Sequence, residues 1–125
     1  MRVLMIIPAY NEEESIFDTV TSILSYRKKV DFDLDYVVIN DGSTDKTKQI
    51  LEDNHFNAVN LVMNLGIGGA VQTGYKYALE HDYDVAVQFD GDGQHDIESL
   101  SDLLEPIRKN EADLVIGSRF VGDVK

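Results

Sequence analysis

Short apolar runs alternate with amphipathic segments along the whole chain, and this alternation constrains the fold more than any other feature. Each apolar run has the length and the β-branched content of a buried strand. The predicted strands lie at 3–7, 36–40, 58–63, 85–89 and 114–116. The predicted helices lie at 12–26, 44–53, 68–81 and 97–109. Because such strands form parallel sheets covered on both faces, we predict an α/β fold with a Rossmann-like, mostly parallel sheet and helices on both sides.

A polar cluster follows each predicted strand. In open parallel sheets, ligands bind beyond the carboxyl ends of the strands. We therefore expect the clusters to lie along one edge of the sheet and to contain the functional site. The clusters are Pro8-Ala9-Tyr10-Asn11-Glu12, Asp41-Gly42-Ser43-Thr44-Asp45, Asn64-Leu65-Gly66, the segment 90–96 and Gly117-Ser118-Arg119.

Some of these polar residues have a purely structural interpretation. We predict Asn11 as the N-cap of the first helix, and Ser43, Thr44 and Asp45 as capping residues of the second, because short polar side chains accept hydrogen bonds from the first amides of a helix. Asp41, which precedes a glycine, is typical of a turn as well as of a ligand contact.

The cluster after the fourth strand contains two carboxylates, Asp90 and Asp92, separated by Gly91. Carboxylates this close repel each other unless a cation or a shared proton lies between them. Oxygen ligands suit a hard cation such as Mg²⁺ or Mn²⁺. An Asp-Gly turn needs no ligand, however. Both interpretations remain open at this point.

Composition excludes several classes of function. The chain has 125 residues, a length typical of one domain, and its net charge of -12 disfavours binding to nucleic acid. It contains no cysteine, which excludes disulfides and thiolate chemistry. No apolar run approaches the length of about 18 residues that suggests a transmembrane helix. We expect these residues to be cytoplasmic.

Familiar phosphate-binding motifs are absent. A P-loop requires Gly-Lys followed by Ser or Thr, which does not occur. The dinucleotide-binding motif G-x-G-x-x-G could begin at Gly66, but Val71 occupies the position of its last glycine. An EF-hand loop that began at Asp90 would require Asp or Asn at position 94 and Gly at position 95, where this chain has Gln94 and His95. An acidic site can still hold a nucleotide through a metal that bridges its phosphates, with Arg119 as a phosphate partner.

The five clusters, taken together and in order, resemble the nucleotide-sugar-binding half of a family 2 glycosyltransferase with the GT-A fold. The resemblance is closest to the polyprenyl-phosphate branch, which includes dolichol-phosphate mannose synthases. It covers essentially the whole chain. It implies inverting transfer of a sugar from a nucleoside diphosphate, such as a UDP-sugar or a GDP-sugar, to a polyprenyl phosphate or a saccharide.

The resemblance also implies roles for particular residues. Those that would bind the nucleotide sugar are Pro8, Tyr10, Glu12, Ile39, Asp41, Asp90, Gly91 and Arg119. Those that would hold Mg²⁺ or Mn²⁺ are Asp90, Asp92 and Gln94.

Family members usually continue well beyond the Gly-Ser-Arg segment. We therefore expect residues 1–125 to form the donor domain, with the acceptor region, the general base and any membrane association in a further part of the protein. On that basis, we expect the chain alone to have little or no turnover. Two alternatives are a nucleotidyltransferase of related fold and a noncatalytic nucleotide-sugar-binding fragment. A nucleotidyltransferase typically has glycines and a basic residue after the first strand, whereas Pro8-Ala9-Tyr10-Asn11 has neither.

Overall fold

The computed structural model describes residues 2–30, 32–89 and 120–123. The strands are β1 (Arg2–Ala9), β2 (Asp33–Asn40), β3 (Ala58–Asn60), β4 (Val85–Gln88) and β5 (Phe120–Asp123). The helices are α1 (Ile16–Tyr26), α2 (Thr47–Asp53) and α3 (Gly66–Glu80), and a 3-10 turn, Arg27–Lys29, follows α1. The predicted helix 97–109 and the predicted strand 114–116 lie outside the described residues.

The strands form one sheet in the order β3-β2-β1-β4-β5. β1 lies at its centre and pairs in parallel with β2 and β4, and β2 pairs in parallel with β3. β5 is antiparallel to β4. The prediction of a mostly parallel sheet is confirmed. β5 was not predicted, because Phe120 and Val121 are its only large apolar residues and too few to show a strand pattern.

Side chains of β1 alternate between two cores, as the pleat of a strand requires. Val3, Met5 and Ile7 pack in one cluster with apolar residues of α1 and α2. Leu4 and Ile6 pack in the other with residues of α3. All five β1 side chains are fully buried. Helices therefore cover both faces of the sheet, as predicted.

α3 approaches β1 closely at Gly74. A methyl group at this position would lie 2.4 Å from Cγ2 of Ile6, far inside van der Waals contact. The absence of a side chain at Gly74 thus sets how near the helix lies to the centre of the sheet.

Two helices begin later than the sequence suggested. α1 begins at Ile16 with Ser15 at its N-cap, so the prediction of Asn11 as the N-cap is wrong. α2 begins at Thr47 rather than at residue 44. β3 is also shorter than predicted and ends at Asn60. Among the helices that the structure describes, none has the length and apolarity that a bilayer crossing requires.

Candidate functional site

The carboxyl ends of the parallel strands lie along one edge of the sheet. Ala9 at the end of β1 pairs with Asn40 at the end of β2, and Asn40 pairs with Asn60 at the end of β3. The polar clusters that follow β1, β2 and β3 therefore begin side by side. This is the edge at which sequence analysis placed the site, and we call it the carboxyl edge.

The loop after β1 presents Tyr10 to solvent, with 45% of its surface exposed. The next residue, Asn11, has a positive φ of 52°, a conformation that asparagine tolerates better than most residues. The Asn11 N–H donates to Oγ of Ser43 at 3.0 Å, and Oδ1 of Asn11 accepts the N–H of Thr44 at 2.8 Å. Asn11 therefore joins the loops after β1 and β2 instead of capping α1.

Glu12 contributes to the same connection between loops. Its N–H donates to Oγ1 of Thr47 at 2.9 Å. Its carbonyl oxygen accepts the N–H of Ile16 at 2.9 Å, and its carboxylate accepts the hydroxyl of Ser15 at 3.1 Å. Glu12 thus supports the first turn of α1, and its role in a nucleoside pocket remains a prediction.

Asp45 organises the start of α2. Its carboxylate accepts the N–H of Thr47 at 2.9 Å, the hydroxyl of Thr47, and the N–H of Glu13 at 3.2 Å. Burial raises the pKa of Asp45, but these hydrogen bonds favour the charged form and leave the pKa below its ordinary value. The N-cap of α2 is Lys46, so the prediction of Asp45 as the capping residue is wrong in position, although its carboxylate still binds the first amide of the helix. Ser43 and Thr44 instead contact Asn11.

A second set of contacts connects the loops after β2 and β3. The amide of Asn40 donates to Oδ1 of Asn60 at 2.9 Å, and Oδ1 of Asn40 accepts the hydroxyl of Ser43. Asn40 is almost fully buried, so its polar atoms need these partners. Sequence analysis missed this residue, although a polar side chain at the end of an apolar strand was the available signal.

Asp41 is only 4% exposed. Its Oδ1 accepts the N–H of Leu65 at 2.7 Å, and its Oδ2 accepts the N–H of Gly66 at 2.9 Å. The Asn64 side chain donates to the Asp41 carbonyl oxygen at 3.2 Å. Both carboxylate oxygens therefore bind the backbone at the start of α3.

Pro8 and Ile39 face each other in the pairing of β1 and β2. Ile39 is fully buried in the core under α3, so its side chain offers no exposed surface to a ligand. Pro8 is also buried. It lies beyond Ile6, the last residue of β1 paired with β4, where its lack of an N–H costs no ladder hydrogen bond. Both residues stand behind the carboxyl edge.

The predicted metal and phosphate residues lie outside the described residues. These are Asp90, Gly91, Asp92, Gln94 and Arg119. The described chain reaches the carboxyl edge at Phe89, whose N–H donates to the Ile6 carbonyl oxygen at 2.8 Å. It is described again from Phe120, which pairs with Val87 near the end of β4. Within the described ranges, no three His, Asp or Glu side chains are grouped so as to hold a metal ion.

Comparison with known proteins identifies the family. The family model described as glycosyl transferase family 2 matches residues 5–125. The undecaprenyl-phosphate mannosyltransferase of Micrococcus luteus is 42% identical over 126 residues, which cover 97% of this chain and 49% of that protein. The UDP-N-acetylglucosamine–dolichyl-phosphate N-acetylglucosaminyltransferase of Methanococcus voltae is 34% identical over 135 residues, which cover 94% of this chain and 52% of that protein. The chain thus spans about half the length of these relatives.

Solved structures show the same fold. TarS 1–349 from S. aureus in complex with UDP is 27% identical with a TM-score of 0.66, over 97% of this chain and 38% of that one. Glucosyl-3-phosphoglycerate synthase from Mycobacterium tuberculosis, solved with Mn²⁺ and UDP-glucose, has a TM-score of 0.70 at 23% identity, over 88% of this chain and 40% of that one. The predicted GT-A fold is confirmed. The chain belongs to glycosyl transferase family 2.

Proposed function

We propose that this chain binds the nucleotide-sugar donor of an inverting glycosyltransferase whose acceptor is a polyprenyl phosphate, with a saccharide as the alternative acceptor. The observation that carries the proposal is the 42% identity to an undecaprenyl-phosphate mannosyltransferase over nearly the whole chain. The second relative is named for a UDP-sugar donor and a dolichyl-phosphate acceptor. The proposal for residues 1–125 is limited to donor binding, and it places them on the cytoplasmic side of the membrane that holds the acceptor.

The nucleoside would lie along the carboxyl edge, over the ends of β1 and β2. Tyr10 supports this because an exposed aromatic ring beside a polar edge can stack on a base. Pro8 and Ile39 form the apolar layer behind the edge, and Glu12 and Asp41 hold the loops around it.

The diphosphate would lie near the end of β4. Asp90, Asp92 and Gln94 offer only oxygen ligands, which fit Mg²⁺ or Mn²⁺, and they follow within six residues of Phe89. Arg119 precedes β5, which begins beside β4, and a guanidinium matches phosphate geometry. When bound, such a metal neutralises the charge that develops on the departing diphosphate.

In the proposed reaction, an acceptor oxygen forms a bond to the anomeric carbon as the bond from that carbon to the diphosphate oxygen breaks. A phosphate acceptor is already anionic and has no proton to lose. A saccharide hydroxyl must give its proton to a base. The nature of the acceptor therefore decides whether the complete enzyme needs a catalytic base.

Calorimetric titration with UDP and GDP, each with and without Mn²⁺, tests the proposal. We expect binding that depends on the metal and is weakened at least tenfold by Asp92→Ala, since a metal ligand is lost. Asp53→Ala is the matched control, because it removes the same charge from an exposed position at the far end of α2. Failure of both nucleotides to bind in the presence of Mn²⁺, or equal affinities for Asp92→Ala and Asp53→Ala, would contradict the proposal.

A further inference from the structure

The two peptide groups that flank Tyr10 are both bonded to the loop after β2. The Ala9 carbonyl oxygen, in the peptide group before Tyr10, accepts the Asp41 N–H at 2.8 Å. The Asn11 N–H, in the peptide group after Tyr10, donates to Oγ of Ser43 at 3.0 Å. Because each peptide group is planar, these two bonds restrict both backbone dihedrals of Tyr10, although the residue is 45% exposed.

The residue after Tyr10 needs such support. Asn11 has a φ of 52°, in a sparsely populated region that persists only where surrounding contacts hold it. Those contacts come from the loop after β2: Ser43 accepts the Asn11 N–H, and the Thr44 N–H donates to Oδ1 of Asn11 at 2.8 Å. The loop that carries Tyr10 therefore takes its shape from the neighbouring loop.

Ser43 connects this loop to the buried end of the sheet. Its hydroxyl donates to Oδ1 of Asn40, which is only 2% exposed, and the Asn40 amide donates to Oδ1 of Asn60 at 2.9 Å. A hydroxyl has one proton to donate and lone pairs with which to accept. Asn40 takes that proton, so a lone pair of Ser43 is left for the Asn11 N–H. Hydrogen bonds in such a chain strengthen one another.

We propose that Ser43 is a positioning residue for Tyr10: it acts on the nucleotide through the peptide group after Tyr10 and does not itself contact the ligand. This inference rests on the proposed donor-binding function and deepens it. An aromatic residue whose backbone is already fixed loses less conformational freedom when a base stacks on its ring. The hydrogen-bond chain from Asn60 to Asn11 thus prepares Tyr10 for binding before the nucleotide arrives.

A double-mutant cycle separates positioning from direct contact. Ser43→Ala removes the hydroxyl, Tyr10→Ala removes the ring, and the double variant removes both. Ser22→Ala is the matched control, because the Ser22 hydroxyl donates to the Asp18 carbonyl oxygen at 2.8 Å within α1. NMR order parameters of the Tyr10 and Asn11 amides are measured without ligand. Affinities for UDP and GDP are then measured with Mn²⁺.

In Ser43→Ala, we expect the Asn11 order parameter to fall from about 0.85, typical of rigid backbone, toward about 0.6. We expect the affinity for the nucleotide that the wild type binds to fall by about fivefold, the usual effect of one lost hydrogen bond. In the Tyr10→Ala background, Ser43→Ala should weaken binding by less than about twofold, because the ring that it positions is gone. Ser22→Ala should change neither quantity.

Several results would overturn the inference in distinguishable ways. An unchanged Asn11 order parameter in Ser43→Ala would refute the role of Ser43 in holding the Tyr10 backbone. A fivefold loss that persists in the Tyr10→Ala background would show that Ser43 acts on the nucleotide without Tyr10. Wild-type affinity in Tyr10→Ala would show that the positioned ring does not bind the nucleotide.

Failure of the proposed function has a different signature. Wild-type protein that binds neither UDP nor GDP would refute donor binding, and the effect of Ser43 on the nucleotide with it. The order parameters would still decide whether Ser43 holds the backbone of Tyr10, because they are measured without ligand.

Discussion

The contact between α3 and β1 at Gly74 gives a sharp prediction about stability. In Gly74→Ala, the new methyl group would lie 2.4 Å from Cγ2 and 2.9 Å from Cδ1 and Cγ1 of Ile6. Carbon atoms prefer a separation of about 3.5–4.0 Å, so the helix or the strand must move by about 1 Å. Overpacking of this kind costs about 1–3 kcal/mol, and we expect the upper end because all three atoms are crowded.

Replacing glycine by alanine in a helix also stabilises the helix by about 1 kcal/mol, because alanine has the higher helix propensity. The expected net effect of Gly74→Ala is therefore a loss of about 2 kcal/mol in the free energy of unfolding, or about 8 °C in Tm for a domain of this size. Gly68→Ala is the matched control. Gly68 lies in the same helix, and no heavy atom of the described residues is within 4 Å of an added Cβ, so this variant should gain up to about 1 kcal/mol.

Urea denaturation followed by circular dichroism measures both variants. The double variant Ile6→Ala/Gly74→Ala tests the cause, since alanine at position 6 lacks all three crowded atoms. Its loss of stability should be smaller than the sum of the single losses by about 1 kcal/mol or more. The argument is refuted if Gly74→Ala is as stable as Gly68→Ala, or if the two single losses are additive.

Three further predictions concern buried or partly buried polar groups. Hydrogen bonds from Thr47 hold the folded pKa of Asp45 below its unfolded value. The stabilising effect of the Asp45 carboxylate is therefore present above about pH 4 and is lost as the pH falls through the folded pKa. Asp45→Asn should flatten the decline of the unfolding free energy in acid, and a decline parallel to that of the wild type would contradict this. The Thr19 hydroxyl is buried and has no hydrogen-bond partner in the described part of the chain. Thr19→Val should therefore raise the unfolding free energy, measured by urea titration, by about 1 kcal/mol. An unfolding free energy below that of the wild type would count against this explanation. Burial, a hydrogen bond of 2.8 Å to Asp35 and the negative charge of Asp35 raise the pKa of Tyr83 to about 12, so its contribution is full below pH 10 and is lost between about pH 10 and 12. Tyr83→Phe should cost about 1 kcal/mol near neutral pH. It should also remove a phenol ionisation near pH 12 from an ultraviolet titration, and an unchanged titration would disprove the assignment.

The parallel core was predictable because its signal is local. The apolar runs of β1, β2 and β4 are buried on both faces, and this shows in the sequence as continuous hydrophobicity. The placement of polar clusters at the strand ends followed from the direction of the strands alone. For this reason Tyr10 and Asp41 were assigned to the correct edge.

The starts of α1 and α2 were not predictable in the same way. Asn11, Thr44 and Asp45 have the composition of capping residues, but Asn11 and Thr44 bond to each other across two loops. The choice between a helix cap and a contact between loops depends on tertiary structure, which a single segment does not encode. The same limit applies to Asp41, whose partners Leu65 and Gly66 lie 24 and 25 residues away.

The antiparallel pairing of β5 with β4 has a consequence for how this fold can be altered. β4 pairs with β1 on one side and with β5 on the other. A substitution that removed β5 would leave the parallel pairings of β1, β2, β3 and β4 in place. It would also expose the outer edge of β4, and an unpaired strand edge is a template for pairing with another chain.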